Sequence, residues 1–589
     1  MPAFSCLRRA FLALGLIVLF QLAAIVAPAQ VPAWAWARNQ VMTATAGTSN
    51  SLISPKRVAV DGRGNSYVFG RYSGILTLGA FTLSAVGGGL YVAKYDPAGT
   101  CLWAVSAGGP GAEEAQDLVV DPAGNVFVAG YFDDTVVFGP STLSAGAALT
   151  ERGAMFVGKL NTAGSWQWAT QFGADIRRTR ATSVRLALAP DGDLLLGGAF
   201  NDLATRGTFP FNFGSIVLST AASGNNLDLY AARLDPTGTA WRWAIRVGGS
   251  QVDGATAIAS DAAGNAYLTG FFNGTVAFGS QSVTDTGGSG QDVFVAKLNP
   301  TGQWVWASSG GGNSPDAGTA IAADAAGNCV VAGRIVGSFG GTVTFGSTTL
   351  TLNPGVTSSG PDVLVAKLSS SGQWQWAARA GGRGEDAGTS VALDAGGRVF
   401  VAGYVSVRAD FGPTVVNDTP ASNPVVTGTR FLGLLSPAGT WQWVTLLGMG
   451  FGIEDTTVAH DGANAFITGA YLTQVAFDAT TLSAAPSASN AGYLAKLGAV
   501  ALAARPDRAA PAFSVVPNPL GGRREAVVRT ASAGQLEIRD LLGREVVPRR
   551  VLSPAGEQHL RLPASLTPGL YLATLRTTAG AATQRLVVE

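Results

Sequence analysis

Through most of the chain, apolar runs of five to seven residues alternate with short clusters of Asp, Gly, Asn and Pro. Runs such as "NVFVAG" (125–130) and "VFVAKL" (293–298) are apolar at nearly every position. A strand covered on both faces demands that pattern, whereas a half-exposed strand alternates. Gly, Thr and Val are too frequent for helices, and no 3.6-residue period persists. The pattern predicts strands in stacked sheets, joined by tight turns.

One strand–turn–strand unit recurs. "VVDPAGNVFVAG" (119–130) has near-copies at 259–270, 322–333 and 392–403. Alignment on the Gly-Asn pair gives seven copies, whose first slots hold Asp61, Asp121, Ala189, Asp261, Asp324, Asp394 and His460. Successive copies lie 60 to 72 residues apart, about one propeller blade plus a loop insertion. Two further motifs keep the same count, one typified by "FVAKL" (294–298) and one by "WQWA" (166–169). Their phase is informative. A W-x-W strand, "WAWA" (34–37), precedes the first copy, and none follows the last "YLAKL" (493–497). The first strand therefore belongs in the last sheet, where it closes a ring and removes two open edges. A linear solenoid has no use for this offset.

The turn chemistry gives the repeated Asp a structural role. In D-P-A-G-N the Asp bonds the turn backbone, Pro122 presets φ and Gly124 takes φ > 0. Asp61, Asp121, Asp261, Asp324 and Asp394 are assigned to the turn. The competing reading is a ring of carboxylates binding calcium, which Ala189 and His460 in the same slot weaken.

D-x-x-G-N-x-Y-V-x-G followed by D-x-F-V-A-K-L resembles the β-propeller repeats of bacterial surface and secreted proteins, with "DVFVAKL" (292–298) and "DVLVAKL" (362–368) as close matches. The resemblance covers about 34–497. It implies a seven-bladed ring and says little about a ligand. Gly89, Ala154, Thr429 and Ala491 replace the first Asp of the second motif in four copies, so a ligand role for that Asp is not expected.

Composition narrows the function classes. The chain has 589 residues, 78 Gly, 13% charged residues and a net charge of +1. No basic surface points to nucleic acid. Arg8 and Arg9, the apolar run 10–26 and the A-x-A site at 27–29 read as a secretory signal peptide over 1–29, with a retained anchor as the alternative. No later run has the roughly 18–20 apolar residues a spanning helix needs. Cys101 and Cys329 occupy different repeat positions, so no disulfide between them is expected.

Residues 505–589 differ, with no Trp, no Lys and a net charge of +5. "FSVVPNPLGG" (513–522), "QLEIRDLLGREV" (535–546) and the "PGLYL" strand (568–572) come in the order of the type IX secretion C-terminal sorting domain, which the tail resembles. That resemblance implies a small immunoglobulin-like β-sandwich over 512–589 that engages the type IX machinery of a Gram-negative bacterium. A plain immunoglobulin-like module is the alternative. The Ala-, Arg- and Pro-rich stretch 498–511 reads as a linker.

Candidate chemistry is sparse. The two histidines, His460 and His559, lie in a turn slot and in the tail, so no Ser–His–acid set and no Cys/His metal spacing can be assembled. Acids recur eight residues before the turn Asp: Glu113, Asp253, Asp316 and Asp386. They are expected at one mouth of a central channel, where they either cap backbone N–H groups or bind a cation or polar ligand. The third copy places Arg177, Arg178 and Arg180 there instead. All thirteen Trp lie in the W-x-W slots, and a spacing of two predicts both rings of a pair on one strand face, packed between blades.

The expected fold class is all-β: a seven-bladed β-propeller (30–497) closed by an N-terminal strand, followed by the small sandwich. The expected function is a non-enzymatic binding or adhesion scaffold, secreted or held at the outer-membrane surface. It would present loops such as 200–227 and 412–429 to a glycan or protein, without a cofactor. The rivals are a carbohydrate-active hydrolase or lyase using Asp253, Asp316 and Asp386, and a structural surface component.

Overall fold

The computed structural model describes residues 31–43, 51–145, 152–177, 183–201, 211–219, 227–287, 290–337, 341–352, 360–406, 408–417, 428–449, 456–485 and 488–498, and in the tail 513–516, 525–530, 534–540, 544–552, 556–563, 566–577 and 580–588. The leader, the linker 498–511 apart from Gly498, Arg178 and Arg180, and most of the loops 200–227 and 412–429 lie outside the described residues. The chain divides into two compact units, 1–500 and 501–589.

The described regular structure is all-β. In the first unit one four-stranded antiparallel pattern recurs. In the fourth copy Gly254–Ser260 pairs with Ala266–Phe272, that strand with Asp292–Leu298, and that in turn with Trp304–Gly310. Corresponding sets begin at Leu52, Glu113, Ser183, Ala317, Ala387 and Thr457. The middle two strands of each set are buried on both faces, as their continuous apolar runs require: Asp292–Leu298 exposes only Lys297 appreciably. Neighbouring first strands pack in order: Leu52–Val60 on Glu113–Val120, then on through Ser183–Leu188, Gly254–Ser260, Ala317–Ala323 and Ala387–Leu393 to Thr457–His460, which packs against Leu52–Val60 again.

The last set takes its fourth strand from the start of the chain. Trp34–Thr43 pairs antiparallel with Ala491–Leu497, with Ala37 opposite Ala495 and Gln40 opposite Gly492. Trp36 Nε1 donates to Pro97 O at 3.0 Å, and Arg38 donates to Gly99 O at 2.8 Å, in the first set. Asn490, fully buried, receives the Ile53 N–H and donates to Ile53 O, standing in for a strand partner across the same junction.

Two sequence expectations are corrected. The seventh turn is one residue shorter than its sisters, because His460 is the last strand residue, opposite Ala465. Asp461 is the turn acid and accepts hydrogen bonds from Ala463 N, Asn464 N and Asn464 Nδ2. The two Trp of a pair also do not share a face. A β-bulge shifts the register between them: Trp168 lies opposite Lys159, but Trp166 lies opposite Leu160. The extra residue inverts the alternation, so the rings point to opposite sides. Trp374 Nε1 accordingly donates back to Ser309 O of the preceding set, and Trp376 Nε1 forward to Pro437 O of the following one.

Most sets also carry an outer hairpin that the sequence reading missed, such as Thr275–Phe278 with Gln281–Thr284. Its buried Phe packs edge-on against the first Trp of its own set, as Phe278 does on Trp304 at 4.8 Å and Phe411 on Trp441 at 4.9 Å.

In the second unit Phe513–Val516, Glu525–Thr530 and Gly556–Arg561 form one antiparallel sheet; Glu545–Leu552, Gly534–Arg539, Gly569–Thr577 and Gly580–Val588 form another. Val528 and Leu560 from the first sheet share a core with Leu536, Ile538, Ala573, Leu575 and Leu586 from the second.

Candidate functional site

The recurring acids stand at the foot of a first strand, where the chain crosses from one set to the next. At three of these crossings the geometry repeats. The N–H of Asp253, Asp316 and Asp386 donates to Leu227 O, Gln291 O and Pro361 O, each at 2.7 Å. Their carboxylates then gather the crossing loop. Asp316 accepts Gly312 N at 2.8 Å and Val336 N at 2.7 Å. Asp386 accepts Gly382 N at 2.8 Å and Ser406 N at 2.7 Å. Asp253 accepts Gly249 N at 2.7 Å and Asn273 N at 3.0 Å. All three side chains are fully buried. Of the two roles expected for these acids, the hydrogen bonds match the capping of backbone N–H groups.

A second acid stands beside each. Asp292 and Asp316 flank Gly311, and Asp362 and Asp386 flank Gly381. Asp228 is the counterpart of Asp253 and raises its pKa by repulsion. These second acids are the opening residues of the D-x-F-V-A-K-L motif. Arg246 pairs with Asp228 at 2.6 Å and Arg379 with Asp362 at 2.5 Å. Ser309 holds the corresponding place in the set between, where Asp292 instead accepts Thr286 N at 2.8 Å. Burial is the largest influence on the crossing acids. It pushes Asp253 up to about 6 and Asp316 and Asp386 up to about 7, against the pull of the two N–H donors on each.

Glu113 departs from this pattern. It is buried and opens its strand opposite Phe132. Beside it Gly89 replaces the second acid, and the two line a cleft with Arg71. The four predicted residues thus belong to four separate crossings.

The turn acids are also committed to backbone. Asp61 accepts Arg63 N and Asn65 N on one oxygen, and Asn65 Nδ2 and Tyr67 Oη on the other. Asp261 repeats this with Ala263, Asn265 and Tyr267, and Lys297 Nζ of the V-A-K-L motif approaches it to 3.7 Å. Asp121, Asp324 and Asp394 cap their turns in the same way. Among the described residues no three or more of His, Cys, Asp and Glu gather as metal ligands.

Sequence reasoning missed the polar links between neighbouring first strands. Thr256, Thr319 and Thr389 sit at strand bulges and donate to Gly318 O, Gly388 O and Thr456 O of the next set, at 2.6, 2.5 and 2.8 Å. In the earlier sets Asp117 does this work, accepting Arg57 Nε at 3.0 Å from one side and Leu186 N at 2.8 Å from the other. The detectable signal was a Thr five residues before three of the turn acids, hidden in otherwise featureless Ala-rich strands.

No family model matches the sequence. Over 319 residues the chain is 24% identical to an uncharacterised WD repeat-containing protein of Acanthamoeba polyphaga mimivirus, a match covering 43% of this chain and 22% of that one. The chain therefore spans about a fifth of that relative's length. Among solved structures, a protein of unknown function from Dyadobacter fermentans has a TM-score of 0.35 and 10% identity, over 65% of this chain and 95% of that one. A europium-containing methanol dehydrogenase has a TM-score of 0.31 and 10% identity, over 79% and 93%. Likenesses this distant assign no activity. The chain is a repeat-rich, all-β protein whose four-stranded sheets are propeller-like.

Proposed function

We propose that residues 30–497 form a seven-bladed β-propeller closed by Trp34–Thr43, and that this ring is a non-enzymatic binding or adhesion scaffold. The observation that carries the reading is the use made of the recurring acids. Asp253, Asp316 and Asp386 are fully buried, with both carboxylate oxygens bonded to loop N–H groups. They rigidify the crossings between sheets, and a rigid ring with variable connections is a platform for recognition. The hydrolase rival draws on the same acids, since a carboxyl group with a pKa of about 7 suits proton transfer. Full burial keeps them from a polymer substrate, which favours the scaffold.

The route is part of the same proposal. The leader at 1–29 directs export, and the sandwich at 512–589 engages the type IX machinery, delivering the ring to the surface of a Gram-negative cell or to the medium. The test is fractionation of a tagged full-length chain in its native host, with mass spectrometry of the mature ends and glycan-array binding of the recovered protein. The expected result is surface or released protein beginning at Gln30 and retaining a glycan or protein partner. Cytoplasmic retention with an intact leader overturns the route. Polymer cleavage abolished by Asp316→Asn overturns the scaffold.

A further inference from the structure

The second unit sorts its charge by sheet. The four strands Glu545–Leu552, Gly534–Arg539, Gly569–Thr577 and Gly580–Val588 carry five Arg against Glu537 and Glu545, a net charge of +3. The three strands of the other sheet carry Arg529 and Arg561 against Glu525 and Glu557, a net charge of zero. Strand alternation gives the excess a side. Leu536, Ile538 and Leu575 lie in the core, so Glu537, Arg539 and Arg576 project from the outer face.

On that face Glu537 is nonetheless only 2% exposed. Three guanidinium groups cover it: Arg539, Arg549 and Arg576 approach its carboxylate to 3.4, 3.3 and 3.4 Å. One arginine is enough to neutralise a carboxylate, and exposed ion pairs add little to stability. The three Arg side chains remain 38%, 50% and 59% exposed, so each still presents charge to solvent. Apolar side chains flank them. Val551 adjoins the core residue Leu552, and Val587 lies between the core residues Leu586 and Val588. Both valines therefore point outward, one on each edge strand, and both are exposed.

Arginines at the centre of a face and valines at its edges match a layer of phosphate groups above hydrocarbon. The guanidinium groups pair with the phosphates, and the valines reach the boundary of the acyl chains. A free phosphate ion leaves the valines in water, and an acidic protein surface gives them no partner. We propose that the outer face of this sheet, centred on Arg539, Arg549 and Arg576, docks on the anionic phospholipid surface of a membrane. The proposal adds a lipid contact to the tail and stands apart from the export reading: fractionation tests the route, and vesicles test the face.

The test is co-sedimentation of the full mature chain with vesicles of phosphatidylglycerol mixed into phosphatidylcholine, with pure phosphatidylcholine vesicles, inorganic phosphate and polyglutamate as the other probes. The expected result is binding to the anionic vesicles alone, lost at high salt. Arg549→Gln with Arg576→Gln, which leaves Arg539 on Glu537, should weaken it about tenfold or more. Val551→Asp should weaken it as well. Glu545 pairs with Arg549 at 3.1 Å, and Glu545→Gln removes a negative charge from the same face, so it should strengthen binding. Unchanged thermal unfolding controls for folding, and a gain of binding at Glu545→Gln is not an effect of lost structure. Failure to bind anionic vesicles, or binding that none of the variants moves, overturns the proposal. Release of the vesicle-bound chain by inorganic phosphate at constant ionic strength reveals a site for the free ion and overturns the membrane surface as partner. Tighter binding to polyglutamate than to vesicles overturns it in favour of an acidic protein.

Discussion

Single residues in this chain recur with compensation, and the pattern explains how far the sequence could be read. The turn acid and the V-A-K-L lysine meet in space, as Asp261 and Lys297 do. Where Leu434 replaces that lysine, Arg398 takes the Asn slot of the turn and pairs with Asp394 at 2.5 Å. Where Ala189 replaces the turn acid, Asp193 supplies the carboxylate and Arg233 binds it at 2.8 Å. The turn role of Asp was therefore legible from spacing alone. The shortened turn at Asp461 was not, because His460 aligned as well as any residue until the strand register was known. Titration separates the two acid classes. At Asp61 and Asp261 burial pushes the pKa up, but hydrogen bonds from Asn65 or Asn265, the turn amides and the adjacent Tyr outweigh it, so both end below the usual range. Their stabilisation is present above the unfolded value and is lost as pH falls through the folded one. At Asp253, Asp316 and Asp386 burial wins, and the sign reverses: stability is fully present below about pH 4 and is lost as pH rises through about 6–7. The melting temperature should fall between pH 5 and pH 8, and Asp386→Asn should make that fall smaller. A melting temperature that rises over this window, or a variant with the unaltered slope, contradicts the assignment.

At the scale of elements, continuous apolar runs and turn residues were enough to place the strands, and the W-x-W motif was enough to locate the fourth strand of each set. They failed where an extra residue breaks the alternation, since a bulge reverses every direction beyond it. The outer hairpins were missed for a different reason. Four-residue strands such as Thr275–Phe278 carry too short a pattern to stand out among loops. The second Trp of every pair except Trp441/Trp443 is set by a glycine turn in the next set. Gly372 has φ +82°, and a Cβ there would lie 2.7 Å from the Trp306 ring. Gly372→Ala must therefore strain the backbone and displace the indole from its hydrogen bond to Ser370 O. The expected cost is about 1–3 kcal/mol, read as a lower midpoint in denaturant titration together with a changed Trp emission maximum. An unchanged midpoint argues that Trp306 is not part of the packing between sets.

For the molecule as a whole, the phase of the repeats was the most informative sequence feature, because it assigned the "WAWA" strand (34–37) to the last set. The polar fastenings at that junction were beyond sequence, since each occurs once. Asp478 adopts φ 49° in a hairpin slot that Gly279 and Gly346 fill elsewhere, and its Oδ2 accepts the Trp34 N–H at 2.8 Å. Asn39 donates to Ser483 O and accepts from Tyr471 Oη. Closure of the ring is the claim on which the scaffold reading depends. Ala37 and Ala495 are directly opposed across the closing strands, where Cα atoms stand about 4.5–5.5 Å apart, close enough for a disulfide. Of the three native thiols Cys6 belongs to the leader and is absent from the mature chain used for the test, and burial pushes Cys101 and Cys329 up to about 12, so they give little background. The most direct measurement is disulfide formation in the full mature chain carrying Ala37→Cys and Ala495→Cys, read by mass spectrometry of the folded, oxidised protein. The account predicts a near-quantitative 37–495 cross-link and a raised unfolding temperature; two free thiols at these positions in a cooperatively folded protein would contradict it.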